Sequence, residues 1–219
     1  MIMSARDARG PEEFDDRAHS MKHLQTAAAE ISRVGAIVGG AMLLVASILI
    51  CIDITLRYTV SITLGGADEL SGYALAISSA WGFSSALLSR SHIRIDTVYV
   101  RIKSIGVRAL LDLISLGTLL GFFGMVTWYA WGVVWQSWVS GSRSLSAIEA
   151  PLVIPQGLWF AGLLFFVALS LLLLVRGLLA FIAGDYNGLF ALIGSKSALA
   201  EAEEEIAAVA HGLEQEKKQ

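Results

Sequence analysis

The sequence predicts an all-α integral membrane protein with four transmembrane helices, both termini cytoplasmic, and a short amphipathic interfacial helix between helices two and three. Three observations carry this. Only 16% of the 219 residues are charged while 55% are hydrophobic, whereas a soluble domain is about a quarter charged. Four intervals, 34–52, 70–89, 113–142 and 150–175, contain no Asp, Glu, Lys or Arg. The basic residues between those intervals fall almost entirely on alternate sides.

The four intervals are 19 to 30 residues long, and a bilayer core needs roughly 20 residues of helix. A charge at a helix centre costs about 2.5–3.5 kcal/mol on insertion, so intervals this long without one define lipid-crossing segments. They lack the alternation of barrel strands. Allowing for helix ends, the spans fall at about 32–58, 68–90, 106–138 and 153–183. They lie in a membrane domain at 31–184, between a cytoplasmic N-terminal tail at 1–30 and a partly helical cytoplasmic tail at 185–219.

The element boundaries carry matching punctuation. The first span needs to pass the membrane edge to about Tyr58, because Asp53 and Arg57 stand i,i+4 as on a helix. The alternation of 54–64 equally suits a strand, and the sequence leaves helical and extended forms open for 57–69. The second span opens after Gly65-Gly66 with Asp68 and Glu69, acids that suit a helix N-terminus. Pro151 and Pro155 suit the start of the fourth, and Gly184 and Asp185 follow its last apolar turn. In 91–108, Ile95, Val98, Tyr99, Ile102 and Ile105 recur at helical steps, while Arg94, Arg101 and Arg108 repeat every seven. That is a helix lying in the membrane surface; a plain basic loop is the competing reading. The Ala- and Glu-rich 197–213 reads as a solvated helix.

Orientation follows from the bases. Of the 16 Lys and Arg, only Arg57 and Arg143 fall on the side opposite the two tails and the middle connection. The positive-inside rule makes the tails and that connection cytoplasmic.

The chemistry-bearing residues point away from catalysis. His19, His23, His92 and His211 all lie outside the spans, so paired haem ligation between helices is not expected. No Cys/His grouping suits a metal and no phosphate loop is present. Cys51, the single cysteine, permits no internal disulfide and reads as a membrane-buried thiol. No span is broken by Gly or Pro at mid-depth, as the substrate helices of many transporters are. Asp112, with Arg108 at i−4, marks a helix end better than a proton relay. The expected inventory is therefore no catalytic residues, no cofactor, no metal and no buried charge.

What the spans offer is packing surface. Gly35/Gly39 and Gly117/Gly121 have G-x-x-x-G spacing, and Ser78, Gly82 and Ala86 set small residues on one face of helix two. Trp128, Trp131, Trp135 and Trp138 line one side of helix three, and this face serves either as an interfacial belt or as a wall against lipid or a partner.

One ordered set of short motifs goes further. Asp53…Arg57-Tyr58, Glu69-Leu70-Ser71 with Tyr73, Trp81 and Phe83, and Arg90 with His92-Ile93-Arg94-Ile95-Asp96 resemble the small membrane subunit of tripartite ATP-independent periplasmic (TRAP) transporters. The resemblance covers about 36–184, including the Ile154-Pro155-Gln156 start of helix four. It implies a non-catalytic subunit of the bacterial inner membrane, with a large TRAP membrane subunit, a periplasmic substrate-binding protein and the lipid bilayer as partners, and no nucleic acid. It implies ion-gradient-driven uptake of a small carboxylate-type solute. Asp53, Arg57, Tyr58 and Glu69 would then lie at the periplasmic-side interface, and Arg90, His92, Arg94 and Asp96 at the cytoplasmic side. The readings set against it are a four-helix redox or quinone-reactive protein, a self-sufficient small transporter acting as a dimer, and a stand-alone membrane scaffold.

Overall fold

A computed structural model describes residues 11–89, 102, 104–146 and 148–193, with the side chains of 11–26 and Asn187 excepted. The described elements are α1 (Pro11–Val60), α2 (Ala67–Leu88), α3 (Ile105–Ser140), α4 (Val153–Ile182) and a short α5 (Tyr186–Ile193). Among the described residues there is no strand; the one ladder-like pairing is an isolated bridge between Arg143 and Pro151.

Three segments are long and apolar enough to cross a membrane: Ala27–Val60, Ile105–Ser140 and Val153–Ile182. The 22 residues of α2 give it about 33 Å of length. Ser71, Ser78, Ser79, Ser84 and Ser85 dilute its apolarity, so it is not counted with those three.

The helix ends follow from local chemistry. α1 stops where Ser61 turns left-handed at φ 54°, and Gly65 and Gly66 (φ 57° and 104°) complete the reversal into α2. α4 ends in a full Schellman motif: Gly184 has φ 73°, the Asp185 N–H donates to Ala180 O at 3.0 Å and the Gly184 N–H to Phe181 O at 3.1 Å. α3 ends similarly, with Gly141 at φ 60° and the Ser142 N–H reaching Ser137 O at 3.2 Å. Asp185 then caps α5, its Oδ1 accepting the Gly188 N–H at 2.9 Å.

The chain divides into two compact units, one formed by 1–85 with 126–169, the other by 86–125 with 170–219. In the first, α1 and α2 approach closely enough that a Cβ on Gly39 would lie 3.0 Å from Ser78 Cα. The Ser78 hydroxyl uses that proximity to donate to Gly39 O at 2.7 Å. Trp81 wedges between α1 and α4. A Cβ on Gly35 would lie 2.7 Å from its ring and one on Gly162 2.9 Å, its indole N–H donates to Leu158 O at 3.1 Å, and it stacks on Phe165 at 5.9 Å. Because lipid is as apolar as the side chains, such close backbone approach is what holds helices together in a membrane. Of the two expected glycine spacings, Gly35/Gly39 is used in this way, whereas nothing lies within 4 Å of a Cβ placed on Gly117 or Gly121.

In the second unit, Ala109, Asp112, Leu113 and Leu116 of α3 are buried, as are Ser170 and Leu173 of α4 and Leu189 and Ile193 of α5. A Cβ on Gly177 would meet Leu113 at 3.0 Å and Ile193 at 3.1 Å. The expectation of no buried charge is corrected here: Asp112 is wholly buried and Asp53, in the first unit, is 2% exposed. Each lies seven residues from a helix end, where charge-free intervals stop but enclosure does not.

Candidate functional site

The first unit gathers its polar chemistry where the α1–α2 turn meets the α3–α4 loop. Asp53, on the last two turns of α1, organises the turn. Its Oδ2 pairs with Arg57 Nη2 at 2.5 Å, and its Oδ1 accepts the Leu64 N–H at 2.7 Å and the Thr63 hydroxyl at 3.0 Å. One carboxylate thus ties the helix to a chain segment ten residues on. The i,i+4 spacing reaches Arg57, and α1 continues to Val60 before the chain becomes irregular.

Glu69, in the first turn of α2, ties this turn to the next loop. Its carboxylate accepts hydrogen bonds from the Tyr73 hydroxyl and from the Ser144 hydroxyl. Ser144 lies within 2.7 Å of the Ser146 hydroxyl. The loop itself is a tight reversal: the Ser144 N–H donates to Ala150 O at 2.9 Å and the Leu152 N–H to Ser142 O at 3.1 Å. Glu149 adopts φ 46° within it. Ile148 presses on the first turn, so that a Cβ on Gly66 would stand 2.6 Å from its Cδ1.

This arrangement separates the four residues expected on one interface into two pairs. Asp53 is buried and Glu69 half-buried, and both are engaged with their own chain. Tyr58 is 90% exposed and the Arg57 side chain 58%. Leu145, in the 141–152 loop, is also wholly exposed, and no signal in the sequence marked it. Thr63, Ser144, Ser146 and Ile148 were passed over too. The alternating serines from Ser140 to Ser146 were the available signal.

Trp128, Trp131, Trp135 and Trp138 are between 52% and 76% exposed on α3, so within this chain they are not core. Trp131 stacks on Trp135 at 6.0 Å and touches Phe160 of α4 at 5.6 Å. Arg90, His92, Arg94 and Asp96, and most of the expected interfacial helix, lie outside the described residues. Cys51 is exposed on the protein surface. Among the described residues no three His, Cys, Asp or Glu side chains are grouped to hold a metal.

Long apolar helices, glycine-mediated packing and a polar cluster spent on joining two loops define a helical membrane protein. The family described as tripartite ATP-independent periplasmic transporters, DctQ component, matches residues 46–180. That is more than half of the chain, and the chain belongs to this family: it is a small membrane component of a TRAP transporter. No curated protein and no solved structure matched it.

Proposed function

We propose that this chain is the non-catalytic small subunit of a TRAP-type uptake system in the bacterial inner membrane. In this reading it scaffolds a large permease subunit, helps dock a periplasmic substrate-binding protein, and takes part in ion-gradient-driven uptake of a small carboxylate-type solute. The observation that carries the reading is the family match over 46–180. The helix geometry supports it: three helices are suited to span a membrane, and α1 packs on α2 by close backbone approach at Gly39 and Ser78. The two enclosed acids lie near helix ends rather than at mid-depth, where a carried ion would need them.

The topology belongs to this proposal. α2 is the fourth span, with Ser78 and Ser84 buried within the protein and Ser71 and Ser79 bonded to carbonyls of their own helix. The termini and the 89–104 connection lie in the cytoplasm, where most Lys and Arg are placed. The α1–α2 turn and the 141–152 loop then face the periplasm. Arg57, Tyr58 and Leu145 form the docking face, with Asp53 and Glu69 shaping it from beneath. Arg90, His92, Arg94 and Asp96 stand at the cytoplasmic side. The tryptophan face of α3 is turned to the large subunit or lipid.

Co-expression with the large subunit tests the reading. A stable stoichiometric complex is the expected result, and its absence under conditions where both proteins insert would refute the assignment. Arg57→Glu, Tyr58→Ala and Leu145→Glu should each reduce binding-protein-dependent uptake several-fold, with unchanged insertion and thermal midpoint. Loss of insertion instead would give these residues a folding role.

A further inference from the structure

The exposed tryptophans of α3 do not stand at one depth. The charge-free interval 113–142 centres on 127 and 128, so with α3 across the bilayer Trp128 and Tyr129 lie near its middle. Trp135 and Trp138 follow about 10 and 15 Å further along the helix. Half of the hydrocarbon core is about 15 Å, which brings that outer pair to the headgroup boundary, where lipid oxygens accept an indole N–H. The inner pair is out of their reach. Trp128 is 76% and Tyr129 70% exposed, so both are open to whatever lies beside the helix. Among the described residues, neither the Trp128 indole N–H nor the Tyr129 hydroxyl has a hydrogen bond, whereas the Trp81 N–H has one. Leaving such donors in hydrocarbon is costly. Gly132, one turn on from Trp128, is exposed as well, and a Cβ there would meet nothing within 4 Å.

Resting on the subunit reading, we propose that the inner part of this face, Trp128 and Tyr129 beside Gly132, receives a helix of the large membrane subunit that presents hydrogen-bond acceptors at mid-bilayer. The missing side chain at Gly132 lets a second backbone come close, within reach of the donors beside it. Acyl chains can fill such a notch but accept no hydrogen bond. A second copy of this chain fits poorly. A two-fold pairing sets the patch against itself, with the phenol oxygen as its one side-chain acceptor, since an indole only donates. The outer tryptophans stay with the headgroups.

The test compares wild type with an inner variant, Trp128→Phe with Tyr129→Phe, and an outer variant, Trp135→Phe with Trp138→Phe. Each is purified in nanodiscs, alone and co-expressed with the large subunit. The inner variant keeps an aromatic ring at both positions and removes both donors. Two intramembrane hydrogen bonds correspond to an effect of about tenfold. Co-eluting large subunit should therefore fall about tenfold for the inner variant and stay at the wild-type level for the outer one. Alone, the inner variant should melt and migrate as wild type, because these donors bond nothing within the described chain. Undiminished complex with the inner variant would overturn the proposal while leaving the subunit reading in place. An equal loss with the outer variant would also overturn it, by showing that depth does not matter. So would a lower midpoint of the isolated inner variant, which would show an internal role, or a wild-type dimer that this variant abolishes, which would assign the face to a second copy. Failure of the wild-type chain to co-elute would overturn the subunit reading and this contact with it.

Discussion

Asp53 and Glu69 are acids of similar sequence context with different reach. Asp53 serves its own helix end and the turn that follows, whereas Glu69 holds Ser144, 75 residues away. Glu69→Ala should therefore loosen the 141–152 loop specifically: hydrogen exchange of the Ser144 and Leu152 amides should quicken while α1 amides are unchanged, and equal protection in the variant would remove Glu69 from this role. Gly66→Ala forces a side chain into φ 104° and against Ile148. Backbone strain of this kind costs about 1–3 kcal/mol, so the thermal midpoint of the purified chain should fall accordingly. The Asp53–Arg57 pair was legible in the sequence because its spacing is that of a helix turn. The Glu69–Ser144 bond was not, since no local pattern encodes a contact between two loops.

At the scale of elements, the helices were legible because hydrocarbon imposes a simple rule, no charge in the middle, and the termini were marked by Gly65-Gly66, the two prolines and Gly184. Three of the four charge-free intervals fall on helices long and apolar enough to cross a membrane, and at the margins the rule misled. It counts charges along the chain, so it read Asp53 and Asp112 as edges, although both are buried. α5 went unnoticed because eight residues are too few for periodicity to register. Trp81 shows what the sequence could supply only as a name within a motif: its importance lies in filling the space that Gly35 and Gly162 leave. Trp81→Ala should cost about 3 kcal/mol of stability, as removal of a packed indole typically does, measured by equilibrium unfolding in mild detergent. Gly39→Val should cost about 1–3 kcal/mol through overpacking against Ser78, while Gly117→Val, where nothing lies within 4 Å of an added Cβ, should leave the isolated protein unchanged. Equal effects at both glycines would show that the α1–α2 approach is not a principal packing contact.

At the scale of the whole molecule, the family was legible from an ordered set of short motifs, none specific alone, and the match over 46–180 agrees with it. The residues that meet partners are harder to read from one chain, because exposure in isolation is shared by lipid-facing, solvent-facing and partner-facing side chains. The central claim is that this polypeptide supports transport without carrying solute. Uptake of the cognate solute into proteoliposomes under an imposed ion gradient tests it most directly, comparing vesicles with this chain alone against vesicles with this chain, the large subunit and the binding protein. Uptake only in the complete system is the result expected. Gradient-driven uptake by vesicles holding this chain alone would contradict the account.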